Sequence, residues 1–293
     1  MAKRFVQRAI VYASRPSVLL TIFLAGAVSV MAQPAAQPQG SASQPRPSEV
    51  RSRVSETLVD SSLDDDPAVS KMVAVYSPKV RELEVLIGRL DGELKKGGTG
   101  AGSMGNFVTD GMRWQATMKA GMTIPLAVMN AGGLRRSTIG EGDLRVRDIF
   151  ELLPFENALL TVDLTGEQLK RLLETLVAAN EAQSGARIIY RTTADKKNEA
   201  QNIKLREPTG DNEIDPTRIY TIVTIDYLYN VGGPRYSILR EGTNMKALGI
   251  TLREAIINYV KSETAAGRDI KPNLDGRFSL EQTTSTTGEA KPE

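Results

Sequence analysis

Residues Pro125 to Met129 form a short apolar run that stops at Asn130-Ala131-Gly132-Gly133-Leu134-Arg135. An uninterrupted apolar run of that length predicts a buried strand. A buried strand needs other layers to cover it. The two glycines after it let the backbone approach a ligand closely and adopt positive φ. Asn130 offers both a donor and an acceptor, and Arg135 offers a planar fork suited to phosphate. The same glycines would equally serve a tight connection that only turns the chain, because short Gly-rich motifs carry little specificity alone.

The flanking sequence supplies the layers. Asp64-Asp65-Asp66-Pro67 predicts a helix start with proline at the first helical position. Val69, Met72, Val73, Tyr76 and Val80 then recur at helical steps, with Pro78 as a kink. Leu83 to Leu90 reads as a strand and Gly97 to Gly102 as a flexible loop. Ser103 is placed to cap a helix running through Phe107, Val108 and Met112 toward Lys119. Asp143 is expected to cap a short helix ending near Leu153, followed by a strand over Asn157 to Leu164. Thr165 and Gln168 form a capping box, and Leu169, Leu172, Leu173, Leu176 and Val177 line one face of the helix it opens. Arg187 to Tyr190, Asn202 to Arg206 and Ile219 to Tyr227 are strand candidates, with a turn at Pro208-Thr209-Gly210-Asp211. Thr251 to Val260 reads as a helix. There is no internal repeat. The expected fold class is α+β, one mixed α/β domain over residues 66–280.

The ends read differently. Lys3, Arg4, Arg8 and Arg15 precede the apolar run Val18 to Val30, and Val30-Met31-Ala32 has the small-x-small form of a cleavage site. Residues 1–32 are therefore expected to be a signal peptide, giving an exported, periplasmic or extracellular protein. The apolar run is shorter than the roughly 20 residues of a spanning helix, so no stable membrane span is expected after cleavage; an uncleaved anchor is the alternative. Residues 33–65 read as a disordered linker rich in Pro, Gln, Ser and Ala, and residues 281–293 as a disordered tail.

The 293 residues carry a net charge of only +2, which gives no argument for a nucleic-acid partner. Local basic clusters such as Arg145/Arg147 and Lys196/Lys197 are accounted for by a solvated face. The chain has no cysteine and no histidine. That excludes thiol chemistry and Ser-His-Asp catalysis, and removes the imidazoles that metallophosphatases use as metal ligands and to steady the transition state. Asp64 to Asp66 lacks a second spaced set of oxygens for a hard cation and reads as a helix-start cluster. No catalytic residue and no metal ligand is assigned.

Five segments, in order, resemble the C-terminal, substrate-binding domain of the 5′-nucleotidase family. They are Gly105-Asn106-Phe107-Val108-Thr109-Asp110-Gly111-Met112-Arg113; the Asn130 to Arg135 loop; Leu153-Pro154-Phe155-Glu156-Asn157; Asp163-Leu164-Thr165-Gly166; and Asp226-Tyr227-Leu228 with Gly232-Gly233 and Tyr236. Together they are far more specific than any one of them, and they cover most of the folded unit.

The resemblance implies a nucleotide site. It places the base between Phe155 and Tyr227, where stacking on an aromatic contributes about 1–3 kcal/mol, and sets Asn130, Gly132, Gly133 and Arg135 against base and phosphate. Read without it, Phe155 could equally pack in the core and Tyr227 could be an ordinary strand-end aromatic. Two departures stand out. The family's phosphate-holding arginines before the first motif are replaced by Gly97 to Gly102. Its ribose-binding aspartate is replaced by Pro234, followed by Arg235. Lys95, Lys96 or Arg235 could restore charge, but the sequence does not place them. With no histidine, the resemblance implies the half of a nucleotidase that holds substrate. Divalent metals are expected only in a partner, a separate metallophosphatase chain. The alternatives are a non-catalytic nucleotide-binding module and a scaffold that has lost the site.

Overall fold

The computed structural model describes residues 62–282, together with Ser55, Glu56 and Asp60. The expected signal peptide, most of the expected linker and nearly all of the expected tail lie outside the described residues. Every helix and strand named below belongs to the compact unit that begins at Leu63.

In chain order the elements are α1 (Pro67–Leu83), β1 (Leu86–Leu90), β2 (Leu94–Lys95), α2 (Gly102–Ala120), β3 (Leu126–Met129), β4 (Thr138–Ile139) and β5 (Gly142–Arg145). Next come α3 (Val146–Leu152), β6 (Ala158–Thr165), α4 (Gly166–Ala178), β7 (Ala182–Ser184), β8 (Ala186–Thr192), β9 (Asn198–Glu207) and β10 (Gly210–Glu213). The chain then forms β11 (Ile219–Ile225), α5 (Asp226–Asn230), α6 (Ser237–Glu241), β12 (Thr243–Thr251), α7 (Leu252–Ala265) and β13 (Phe278–Leu280). The class is mixed α and β, as expected.

The central sheet has five strands in the order β12-β6-β11-β3-β7. All pairings in it are antiparallel except β11 with β3, where Ile222 lies opposite Leu126 and Val223 opposite Ala127. A second sheet has the order β10-β9-β8-β13. Every residue of β3 is buried, so both faces of that strand are covered. The capping box of α4 forms as the sequence predicts: Thr165 Oγ1 accepts from the Gln168 amide, and Gln168 Oε1 accepts from the Thr165 amide. Leu169, Leu172, Leu173, Leu176 and Val177 are fully buried, each worth about 1.5–3 kcal/mol of transfer free energy.

Four local readings change. Leu83 belongs to α1, and the first strand begins only at Leu86. Asp143 lies on β5; the helix after it is started by Asp148, whose side chain accepts from the Arg145 amide at 2.8 Å. Ser103 is inside α2, and its hydroxyl accepts from the Lys95 amide, tying β2 to the helix instead of capping it. Gly97 to Gly102 is no flexible loop. Gly98, Gly100 and Gly102 take left-handed φ, and a Cβ on Gly102 would lie 2.6 Å from the Lys95 carbonyl oxygen. Glycine is there because the chain wraps tightly around the start of α2.

The helix at residue 67 also forms, with Asp66 capping the Ala68 and Val69 amides. It buries none of its residues: Val69, Met72, Val73 and Tyr76 are all more than half exposed. Periodicity specifies an amphipathic helix but not what covers its apolar face. Among the described residues no helix is long and apolar enough to cross a membrane.

Candidate functional site: an aromatic cavity at the carboxyl ends of the parallel pair

The topology converges three segments. β3 and β11 run in parallel and end together, handing the chain to Asn130 and to Asp226-Tyr227. β6 runs the other way, with Leu159 opposite Ile225, so the residues before β6 arrive at the same edge. The carboxyl ends of parallel strands are where an α/β sheet leaves a crevice. Here that crevice is a cavity of about 260 Å³ lined by Asn130, Gly132, Gly133, Arg135, Phe155, Asn157 and Tyr227. All six residues singled out in the sequence line it, and Asn157 joins them.

Phe155 is 49% exposed and Tyr227 45% exposed. Two large aromatics held half in water beside one cavity are not core residues, so the packing explanation of Phe155 fails. Tyr227 is not a strand-end residue either. β11 stops at Ile225, and Tyr227 lies in the short helix α5, where its amide is tied to Asp226 Oδ1 at 2.7 Å.

Arg135 lies with its guanidinium carbon 5.8 Å from the Phe155 ring centroid. Its neighbour Arg136 is paired with Asp148 and Glu151 at 3.2 and 3.1 Å. Among the described residues Arg135 has no carboxylate within ion-pair distance, so it remains available to an anion. Asn130 is the other polar group: its Oδ1 is buried and has no hydrogen-bond partner within the protein. An unmet buried acceptor costs about 1–3 kcal/mol, and a ligand donor reaching the loop would remove that cost.

Gly132 and Gly133 do not use positive φ, contrary to expectation; they form a 3-10 turn after Asn130. Their role is space. A Cβ on Gly133 would sit 2.7 Å from Met129 Cε, and one on Gly132 would sit 3.3 Å from Asn130 Nδ2.

Two residues that sequence reasoning missed, Glu181 and Arg253, hold these parts in place together with Tyr236 and Lys96. β7 pairs with β3 so that Ala182 faces Met129, which sets Glu181 beside the loop. The buried Glu181 carboxylate accepts from the Ala131 amide through Oε2 and from the Tyr236 hydroxyl through Oε1. Burial, and then the Glu181 carboxylate, push the Tyr236 phenol well above its ordinary pKa, so it stays a donor. Arg253, buried at the start of α7, donates to the Leu153 and Pro154 carbonyl oxygens at 2.9 and 2.8 Å and to Glu156 Oε1 at 3.0 Å. Its guanidinium stacks over Phe150 at 4.0 Å. It therefore fixes the turn that presents Phe155. Lys96 donates its Nζ to the Leu134 carbonyl oxygen at 2.8 Å.

Those contacts also answer where the substitute charges go. Lys96 braces the loop, Lys95 pairs with Glu93 at 2.8 Å, and Arg235 lies 3.8 Å from Glu181. The cavity offers amides, a guanidinium and aromatic faces, and among the described residues no three His, Cys, Asp or Glu side chains gather as ligands.

An open cavity lined by two aromatics and Arg135 thus lies at the carboxyl ends of a parallel strand pair in a mixed sheet. The family model "5′-nucleotidase, C-terminal domain" matches residues 80–241, and the chain belongs to that family. The chain is similar to a trifunctional nucleotide phosphoesterase of Bacillus subtilis, with 31% identity over 197 residues that span 64% of this chain and 13% of that protein. It is similar to a cell wall protein of Listeria monocytogenes, with 27% identity over 183 residues that span 59% of this chain and 23% of that protein. Its fold matches the crystal structure of a 5′-nucleotidase precursor from Thermus thermophilus with a TM-score of 0.61 and 24% identity, over 73% of this chain and 43% of that one. The chain thus spans less than half the length of each.

Proposed function

We propose that this domain is the substrate-holding part of an exported 5′-nucleotidase-type hydrolase. A nucleobase sits between Phe155 and Tyr227, Asn130 meets the base or sugar edge, and Arg135 takes the phosphate. The observation that carries this is the pairing of two half-exposed aromatics, around one cavity, with an arginine that has no carboxylate partner among the described residues. The metals and the bond-breaking groups come from a metallophosphatase unit outside this domain, on a separate chain in this reading, because the domain itself has no imidazole to supply. The basic and apolar pattern of residues 1–32 and the likeness to a cell wall protein support export.

Calorimetry with AMP, adenosine, a UDP-sugar and inorganic phosphate tests the holding step. Phe155→Ala and Tyr227→Ala should each weaken nucleotide binding by about 5- to 150-fold, the span of a lost stacking contact. No heat with any ligand at millimolar concentration overturns the reading. Co-purification from the native envelope tests the second step: a metallophosphatase should accompany the protein, and adding the protein back should change its rate. Nucleotide binding with no such companion and no rate effect would instead mark a non-catalytic binding module.

A further inference from the structure

β3 and β11 have two ends. Beneath their amino ends, about 13 Å of strand away from the aromatic cavity, lies a larger groove of about 720 Å³. Arg113 and Trp114 on α2, Arg206 on β9 and Arg218 before β11 face it, with Pro125 at its base. None of these residues takes part in the site described above.

The charges in the groove do not balance locally. Asp110 is claimed by Arg277, whose Nη1 and Nη2 each donate to it at 2.9 Å, and by the Ser184 hydroxyl at 2.6 Å. Asp275 is claimed by the same Arg277 at 2.9 and 3.1 Å and by Arg206 at 2.6 Å. Arg218 lies 3.7 Å from Glu207 and stacks on Tyr220 at 5.0 Å. Arg113 is left over. Among the described residues its one hydrogen bond is a long one, Nη1 to the Pro125 carbonyl oxygen at 3.5 Å. Burial, and the neighbouring Arg277 and Arg206, lower its pKa despite the Asp110 charge. It stays protonated, as arginine does. A partly buried guanidinium with five donors and one marginal partner is a poor arrangement for a purely structural residue.

Beside it is the chain's single tryptophan. Trp114 packs against Tyr259 with ring centroids 5.8 Å apart and faces the groove with its remaining surface. An aromatic face next to a guanidinium whose neighbouring carboxylate, Asp110, is already held by Arg277 and Ser184 suits a flat ring carrying a negative group.

We propose that this groove is a second binding site, separate from the aromatic cavity, for a small organic anion: a carboxylate or phosphate held by Arg113 and Arg206, with a planar ring laid on Trp114. The site does not rest on the nucleotide reading of the first cavity.

The lone tryptophan makes occupancy directly visible. Its emission is titrated with AMP, which carries a ring and a phosphate, and with benzoate, which carries a ring and a carboxylate. A saturable change with either ligand is expected. Arg113→Gln should raise the apparent Kd about tenfold, the scale of one charge-assisted contact, and rim-exposed Arg218→Gln less, with unchanged circular dichroism in both. Phe155→Ala should leave the titration as it is, even if it abolishes binding at the first cavity. No saturable change with either ligand up to about 10 mM overturns the proposal. So does a change that disappears in Phe155→Ala, or one that neither arginine variant weakens.

Discussion

Glu181 and Tyr236 share a short hydrogen bond, 2.6 Å from the phenol to Oε1, while the other carboxylate oxygen holds the Ala131 amide. One buried carboxylate thus joins the loop after β3 to the turn after α5. The loop lines the cavity, the turn follows the short helix that carries Tyr227, and neither has a strand to hold it. Tyr236→Phe would leave a buried carboxylate oxygen short of its donor. Urea denaturation should show a loss of about 1–3 kcal/mol. Glu181→Ala should cost at least as much and also weaken ligand binding, because the Asn130 loop loses its anchor. Equal affinity in wild type and Glu181→Ala would show that the loop is held by its glycine packing alone.

Arg253 does for the Phe155 turn what Glu181 does for the loop. Its guanidinium spreads over two carbonyl oxygens and Glu156, a planar pattern that an ammonium cannot reproduce. Arg253→Lys should therefore lose roughly 2 kcal/mol, as a hydrogen bond to a charged group typically contributes 1.5–3. It should also lower ligand affinity with Phe155 itself unchanged. Full retention of the melting temperature in Arg253→Lys would mean that Pro154 and the packing of Phe150 set the turn unaided.

These braces show where the sequence stops being readable. Period and capping residues marked α4 completely, since the Thr165–Gln168 box and its five apolar positions are local facts. β3 was equally plain, being an unbroken apolar run that stops at Asn130. Strands β7, β12 and β13 carry no such local pattern: β12 alone has bulges in its pairing and a largely exposed face. Their existence depends on neighbours far along the chain. The six cavity residues were visible because each carries chemistry of its own or sits in a resembling motif. Glu181 and Arg253 were not, because they act at separations of 50 and about 100 residues through backbone groups. A charged residue just before a short polar strand, as Glu181 is, or opening a helix, as Arg253 does, looks like ordinary surface until the fold buries it.

The glycine wrap before α2 gives a contrast within a few residues. A Cβ on Gly105 would lie 2.1 Å from the Gly100 carbonyl oxygen, a rigid backbone atom, whereas one on Gly97 meets nothing within 4 Å. Gly105→Ala should be destabilised by about 1–3 kcal/mol or more, the usual cost of overpacking. Gly97→Ala, whose φ is not left-handed, should be neutral or slightly stabilising, up to about 1 kcal/mol, through the unfolded chain. Thermal melts of the two variants separate a packed wrap from a flexible loop: a loop would tolerate both.

Acid should find the weak point at the other end of the sheet. Burial would raise the Asp275 pKa, but the hydrogen bonds and charges of Arg277 and then Arg206 outweigh it and hold the carboxyl well below the usual range. A carboxylate whose folded pKa is depressed contributes stability that is present above its unfolded pKa, about 3.9. That contribution is lost as pH falls through the folded value. Urea midpoints measured from pH 5 down to pH 2 should therefore begin to fall near pH 4 and keep falling. Asp275→Asn removes the titration, so its midpoint should start lower and change less over the same interval. Because Asp275 also holds Arg206 at the edge of the arginine groove, the anion titration of Trp114 should shift in the same variant. Parallel acid limbs in wild type and Asp275→Asn would place the acid sensitivity in some other carboxylate.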